Sequence, residues 1–150
     1  MVAGCGSSAE EALLLLDNFP GLSRVHLVDW YRPHIDRLET VLRWWARNDP
    51  KRDYSKIEIH LANLMSLDSF GSGSLDLIYS HYVFEHIQGP NGLPDLETIG
   101  EIAGELRRVS AGGGVQFLLE YNPMPEVIKI FENLGIYRVS TQPDIWRKVR

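Results

Sequence analysis

Apolar positions follow two periods along this chain. Spacings of three and four predict helices, and short apolar or alternating runs predict strands. Met1-Val2-Ala3 is an apolar start, and Ala12-Leu13-Leu14-Leu15-Leu16 then predicts a first helix over about Ala9 to Asn18, ended by Pro20-Gly21. Ser8 and Glu11 have capping-box spacing at its start. Arg24 to Asp29 predicts a buried strand. Pro33 suits a first helical turn, and Ile35, Leu38, Leu42 and Trp45 draw one apolar face as far as Asn48-Asp49-Pro50. Lys56 to Leu61 alternates as a third strand, and Leu75 to Ser80 is a fourth after a polar loop, Ser66 to Ser74. Leu96, Ile99, Ala103 and Leu106 give another helical face, which Gly112-Gly113-Gly114 is expected to close before a fifth strand, Val115 to Glu120. Pro125 opens a helix through Val127, Ile128, Phe131 and Leu134, with Gly135 at its C-terminal end. Ile136 to Thr141 and Ile145 to Val149, joined by Gln142-Pro143-Asp144, suggest an antiparallel pair.

Strands alternating with helices imply an α/β fold with a mostly parallel sheet and right-handed crossovers. No linker or repeat divides the 150 residues, so a single domain over 1–150 is expected. Ligands of such sheets sit at the carboxyl ends of the strands. That rule aligns Gly4–Ser8, Asp29, Asn63 and Ser80–His81 along one edge. The strand before the glycines is short: three residues, where a strand usually has about five or six.

Composition narrows the class. The chain is 44% hydrophobic and 23% charged, as in ordinary globular proteins. A net charge of −5 argues against nucleic acid as the main partner. The basic groups at Arg43, Arg47, Lys51 and Arg52 and at Arg147, Lys148 and Arg150 read as solvated surface. The single cysteine, Cys5, allows no intrachain disulfide. No apolar run has the roughly 20 residues of a membrane helix, and the N-terminus lacks the features of a signal peptide. A cytoplasmic protein with no membrane partner is the expectation. His26, His34 and His60 are scattered and show no metal-ligand spacing with a carboxylate, so no metal is expected. Trp44 and Trp45 are adjacent and cannot both face the core of one helix.

The candidate chemistry begins at Gly4-Cys5-Gly6-Ser7-Ser8. A glycine turn before a helix lets a ligand approach bare backbone amides, and side chains at Gly4 and Gly6 would obstruct it. Asp29, ending the second strand, can accept two hydrogen bonds from a ribose diol. Gly4 to Ala9 also satisfies G-x-G-x-x-A, which leaves a nicotinamide or flavin cofactor open.

The segment Leu75-Asp76-Leu77-Ile78-Tyr79-Ser80-His81-Tyr82-Val83-Phe84-Glu85-His86-Ile87 narrows this choice. It closely resembles the fourth strand and following helix start of the class I S-adenosylmethionine-dependent methyltransferases. Val2 to Ser8 resembles that family's first motif, Val28-Asp29 its ribose-binding acid, and Leu106-Arg107-Arg108-Val109 with the following glycines its turn into strand 5. The resemblance covers Val2 to Val149. It implies a doubly wound Rossmann-like sheet of about seven strands, order 3-2-1-4-5-7-6, with strand 7 antiparallel and strand 1 truncated. It also implies S-adenosylmethionine as cofactor. Ala3, Gly4 and Gly6 would lie against its methionine part and ribose, with Cys5 inside the cradle. Asp29 would hold the ribose hydroxyls and Trp30 would lie near the adenine. Asn63, within Ala62-Asn63-Leu64, stands where the family usually has an Asp, and Ser80 and His81 would line the floor near the methyl group. Three departures accompany the likeness: the shortened strand without an acid before the glycines, Ser8 in place of a third glycine, and the absence of the family's N-terminal helices.

Methyl transfer requires alignment and exclusion of water more than covalent help. His81 and Tyr82 are weak candidates for a base; Glu85-His86 reads as structural, and Tyr121 and Asn122 as exposed loop. Cys5 has no evident activating base. The expected function is S-adenosylmethionine-dependent methyl transfer to an unidentified small-molecule acceptor. The alternatives are a catalytically inactive methyltransferase-like binding or scaffold domain and an NAD-type oxidoreductase fragment. A second subunit could supply the absent closing elements, which leaves a homodimer open.

Overall fold

Apolar runs buried on both faces and amphipathic helices between them produce parallel strand pairs joined by helices. The computed structural model describes residues 1–119, 125–141 and 144–148, with side chains described for 1–112 and 125–135. The chain divides into two units, Met1–Asn63 and Leu64–Arg150.

The first unit contains β1 (Val2–Ala3), α1 (Glu10–Asn18), β2 (Val25–Asp29), α2 (Arg32–Asn48) and β3 (Ile57–Leu61). Its strands are parallel, in the order β3-β2-β1, with Val2 opposite Leu27 and Val25 opposite Ile57. Val25, Leu27, Val28 and Asp29 are all buried, which is why β2 reads as a nearly continuous apolar run rather than an alternating one. On α2 the stripe Ile35, Leu38 and Leu42 is buried. Each such side chain contributes about 1.5–3 kcal/mol by leaving water. Trp44 is exposed and Trp45 half-buried, as adjacent positions on one helix require.

The capping box expected at Ser8 and Glu11 does not form. Helix α1 starts with Ala9 at its cap, which places Ser8 one residue too early. Ser8 Oγ instead accepts from the Glu10 amide at 3.2 Å, a local turn. Glu10 and Glu11 in the first turn complement the helix dipole.

The second unit contains β4 (Leu75–His81), α3 (Leu96–Val109), β5 (Ser110–Leu119), α4 (Pro125–Asn133), β6 (Ile136–Thr141) and β7 (Asp144–Lys148). β4 and β5 are parallel, while β7 pairs antiparallel with both β5 and β6. Asp95 caps α3, its carboxylate accepting from the Thr98 amide and hydroxyl at 3.2 and 2.8 Å. Ile99, Ile102, Ala103, Leu106 and Val109 form its buried face. The glycines expected to separate α3 from the fifth strand lie inside β5. Ser110 already pairs with Leu75, and the register then shifts so that Leu77 meets Val115. An irregular stretch of strand absorbs the extra residues, and glycine suits such a bulge. The expected strand end Glu120 and the join Gln142-Pro143 lie outside the described residues, as does Val149. Gly135, at φ 72°, terminates α4 as expected. Among the described residues, no helix is long and apolar enough to cross a membrane.

Candidate functional site

The glycine loop leaves β1 and is tied to the end of β2. Gly4 and Gly6 have φ of 65° and 61°, the left-handed region that favours glycine. The Cys5 amide donates to the Val28 carbonyl at 3.1 Å, extending the pairing of β1 with β2. The Gly6 amide then donates to Asp29 Oδ2 at 2.8 Å, and the Tyr31 amide donates to Asp29 Oδ1 at 2.8 Å. Asp29 is 5% exposed. A buried carboxylate needs such partners, and each of its oxygens retains an acceptor position after one amide is bound. Asp29 therefore holds the loop in shape while keeping capacity for a diol. Only the second duty is read from the sequence.

A side chain at Gly6 would meet the approaching ligand rather than the protein. A Cβ there meets nothing within 4 Å, so glycine is needed for its backbone angle. The open space is what a ligand approaching the loop requires. Cys5 is buried, and burial reinforced by the Asp29 charge pushes its thiol up to about 12. Both causes favour the thiol over the nucleophilic thiolate.

Trp30, beside Asp29, is 72% exposed and offers a flat aromatic face; Tyr31 lies next to it with ring centroids 5.8 Å apart. His34 Nδ1 lies 3.4 Å from Asp29 Oδ1, a neighbour that sequence spacing does not reveal. The Ala62 amide donates to the Asp29 carbonyl at 3.0 Å, so the exposed Asn63 follows directly on the end of β2. The first unit thus brings together Ala3, Gly4, Cys5, Gly6, Asp29 and Trp30, with Asn63 one residue beyond that bond.

Leu64, buried, opens the second unit. There Ser80 and His81 end β4. Ser80 is fully buried, and its Oγ has no hydrogen-bond partner among the described residues. The His81 and Tyr82 rings lie with centroids 4.0 Å apart and planes 31° from parallel. Tyr82 has φ 56°, uncommon for a residue with a side chain and concentrated at functional turns. Glu85 and His86 lie in a single 3-10 turn, Phe84–His86, rather than opening a longer helix. Tyr121 and Asn122 lie outside the described residues.

Another grouping was not visible in the sequence. The parallel register sets His26 opposite Glu58 and Val28 opposite His60, so His26, Glu58 and His60 share one face of β2 and β3. His26 Nδ1 is 3.0 Å from His60 Nε2 and 3.3 Å from Glu58 Oε2. Burial, and for His26 also the neighbouring His60, lowers both imidazoles below the ordinary histidine range. Of the three histidines read as scattered, His26 and His60 form a cluster with Glu58, and the strand register is the signal that assembles them.

The family model described as "Methyltransferase domain" matches residues 2–118. The chain belongs to this family. It is a class I S-adenosylmethionine-dependent methyltransferase domain. An S-adenosylmethionine-dependent methyltransferase from Methanosarcina mazei superposes with TM-score 0.74 at 16% identity, covering 99% of this chain and 91% of that one. One from Aquifex aeolicus gives 0.70 at 15%, covering 99% and 80%. Geranyl diphosphate C-methyltransferase from Streptomyces coelicolor, in complex with Mg2+, geranyl diphosphate and S-adenosyl-L-homocysteine, gives 0.69 at 13%. This chain covers 52% of that enzyme, about half its length, and 93% of the chain is matched. No curated protein matches the chain. The shared fold is an α/β Rossmann-like fold of parallel strands. Within the methyltransferase domain, the glycine loop and Asp29 occupy the carboxyl ends of the first two strands, the ligand-binding end of that fold.

Proposed function

We propose that this methyltransferase domain binds S-adenosylmethionine at the glycine loop and Asp29 and transfers its methyl group to a small-molecule acceptor. The observation that carries the reading is the Asp29 carboxylate. It is buried and held by the Gly6 amide at Oδ2 and the Tyr31 amide at Oδ1, with His34 Nδ1 3.4 Å from Oδ1, and a carboxylate can accept more than one hydrogen bond on each oxygen. When bound, the cofactor supplies an electrophilic methyl group on a sulfonium, so the chain's residues have to position and to shield. Ala3, Gly4, Cys5 and Gly6 form a backbone cradle with open space at Gly6. Asp29 accepts from the ribose diol, Trp30 offers its exposed ring to the adenine, and Asn63 can accept through its amide oxygen. Leu64, Ser80 and His81 complete the lining in this reading. The lone Ser80 Oγ supports a polar ligand there, and the strained Tyr82 beside His81 supports a role for that pair in placing the acceptor or taking its proton.

In the same reading, residues 1–150 act as one domain whose two strand runs, β3-β2-β1 and β4-β5-β7-β6, join in a seven-stranded sheet with strand 7 antiparallel. A small acceptor is supported by the geranyl diphosphate named for the Streptomyces relative. The net charge of −5 supports the absence of nucleic acid as partner, and a cytoplasmic protein without a membrane partner suits the composition.

Calorimetric titration with S-adenosylmethionine and S-adenosylhomocysteine tests the cofactor, and turnover with a panel of small nucleophiles tests the transfer. Binding with turnover supports the reading. Binding without turnover on any acceptor favours the scaffold alternative, and binding of NAD in place of S-adenosylmethionine favours the oxidoreductase alternative.

A further inference from the structure

We propose that His26, Glu58 and His60 form a binding site for a divalent transition metal of the zinc class, each giving one ligand atom and leaving a further coordination position open. The three residues come from adjacent parallel strands, β2 and β3, and the register places them on one face. One atom from each converges: His26 Nδ1, His60 Nε2 and Glu58 Oε2 lie 3.0, 3.3 and 3.9 Å apart as pairs. Zinc bonds of roughly 2.0–2.1 Å at tetrahedral angles place ligand atoms about 3.3 Å apart. The set is already near that arrangement and needs side-chain shifts of tenths of an ångström, not backbone movement.

The chemistry of the donors agrees with their spacing. Two ring nitrogens and a carboxylate oxygen converge; in the metal-free chain the two nitrogens share one hydrogen bond, and loss of that proton lets all three atoms turn a lone pair to a cation. Imidazole nitrogen selects zinc, copper, nickel or iron over magnesium and calcium. A single carboxylate leaves a divalent ion with positive charge, suited to a water or an anionic ligand at the open position. The side chains of His26, His60 and Glu58 are 18%, 25% and 37% exposed, so an ion can enter from solvent. Arg24 holds Glu58 Oε1 at 3.0 Å, which aims Oε2 at the histidines as an outer partner aims a metal ligand. An ion at this point would tie β2 to β3 below the Asp29 end of the strand. The site is independent of the proposed methyl transfer.

The untagged full chain, stripped with chelator, is titrated with Zn2+ by calorimetry and with Co2+ by visible absorption. One saturable equivalent is expected, with the intense d–d bands of tetrahedral cobalt and a melting temperature that rises with Zn2+. His60→Ala and His26→Ala should each weaken binding by about tenfold or more, and Glu58→Gln should weaken it as well. The exposed His86→Ala should bind as wild type does. No saturable Zn2+ or Co2+ binding by the wild-type chain overturns the proposal whatever the variants do. So does unchanged binding in His60→Ala shown by circular dichroism to be folded, or Mg2+ competing equally with Zn2+.

Discussion

Asp29 combines loop structure and ligand capacity in one buried carboxylate. Asparagine keeps the shape but offers one acceptor oxygen and an NH2 group, so the Gly6 and Tyr31 amides cannot both be satisfied. Leaving a buried donor unpaired costs about 1–3 kcal/mol. Asp29→Asn should therefore lower stability by that amount in denaturant titration and weaken S-adenosylmethionine binding in the same preparation. Gly6→Ala separates the two effects. Its Cβ meets no protein atom, but φ 61° costs an L-residue about 1–2 kcal/mol. It should lose stability by that amount and also bind more weakly, because the methyl group enters the open space. Cys5 gives a third test. Its thiol is raised from 9.0 to about 12 chiefly by burial, so the folded chain carries almost no thiolate at pH 8. Iodoacetamide should leave the native protein unmodified at that pH and alkylate it after unfolding, as mass spectrometry would show. A folded pKa above the unfolded one also fixes the sign of the stability term: it is fully present below pH 9 and is lost as pH rises toward 12.

At the scale of the element, α3 fastens the polar loop before β4. Glu105 accepts from the Leu67 amide at 3.1 Å and from Arg108 at 2.7 Å, and Arg108 donates to the carbonyls of Leu67 and Phe70. Hydrogen bonding from Arg108 is the largest cause holding the Glu105 carboxyl below its ordinary range. A depressed carboxyl stabilises above its unfolded pKa, and that contribution disappears as pH falls through the acid range toward the folded value. Arg108→Ala should shift the acid-unfolding midpoint to higher pH, followed by circular dichroism. Element type was largely legible because periods of 3.6 and 2 reflect burial geometry: the stripe Ile35, Leu38, Leu42 predicts α2, and the apolar run Val25 to Asp29 predicts β2. Local details were less so. Whether Ser8 caps α1 depends on where the chain turns, and the helix begins one residue later than the capping box requires. The glycines of β5 fall where the register with β4 shifts, between Ser110 and Val115, and a side-chain pattern carries no mark of such a bulge.

For the whole molecule, the rule that ligands sit at strand ends singles out the glycine loop and Asp29, which the structure brings together. Residues far apart in sequence, Gly6 and Asp29, meet because their strands are parallel neighbours ending at the same level. The same physics hid the histidine cluster. His26 and the pair Glu58 and His60 are unremarkable until the register of β2 and β3 is known. Family membership rests on a match over residues 2–118. The most direct test of the central claim is calorimetric titration of the full chain and of Asp29→Ala with S-adenosylmethionine, with circular dichroism confirming that both are folded. The account predicts saturable binding of one equivalent by the wild type, weakened by about tenfold or more in the variant. No binding by the wild type, or equal affinity in folded Asp29→Ala, would contradict it.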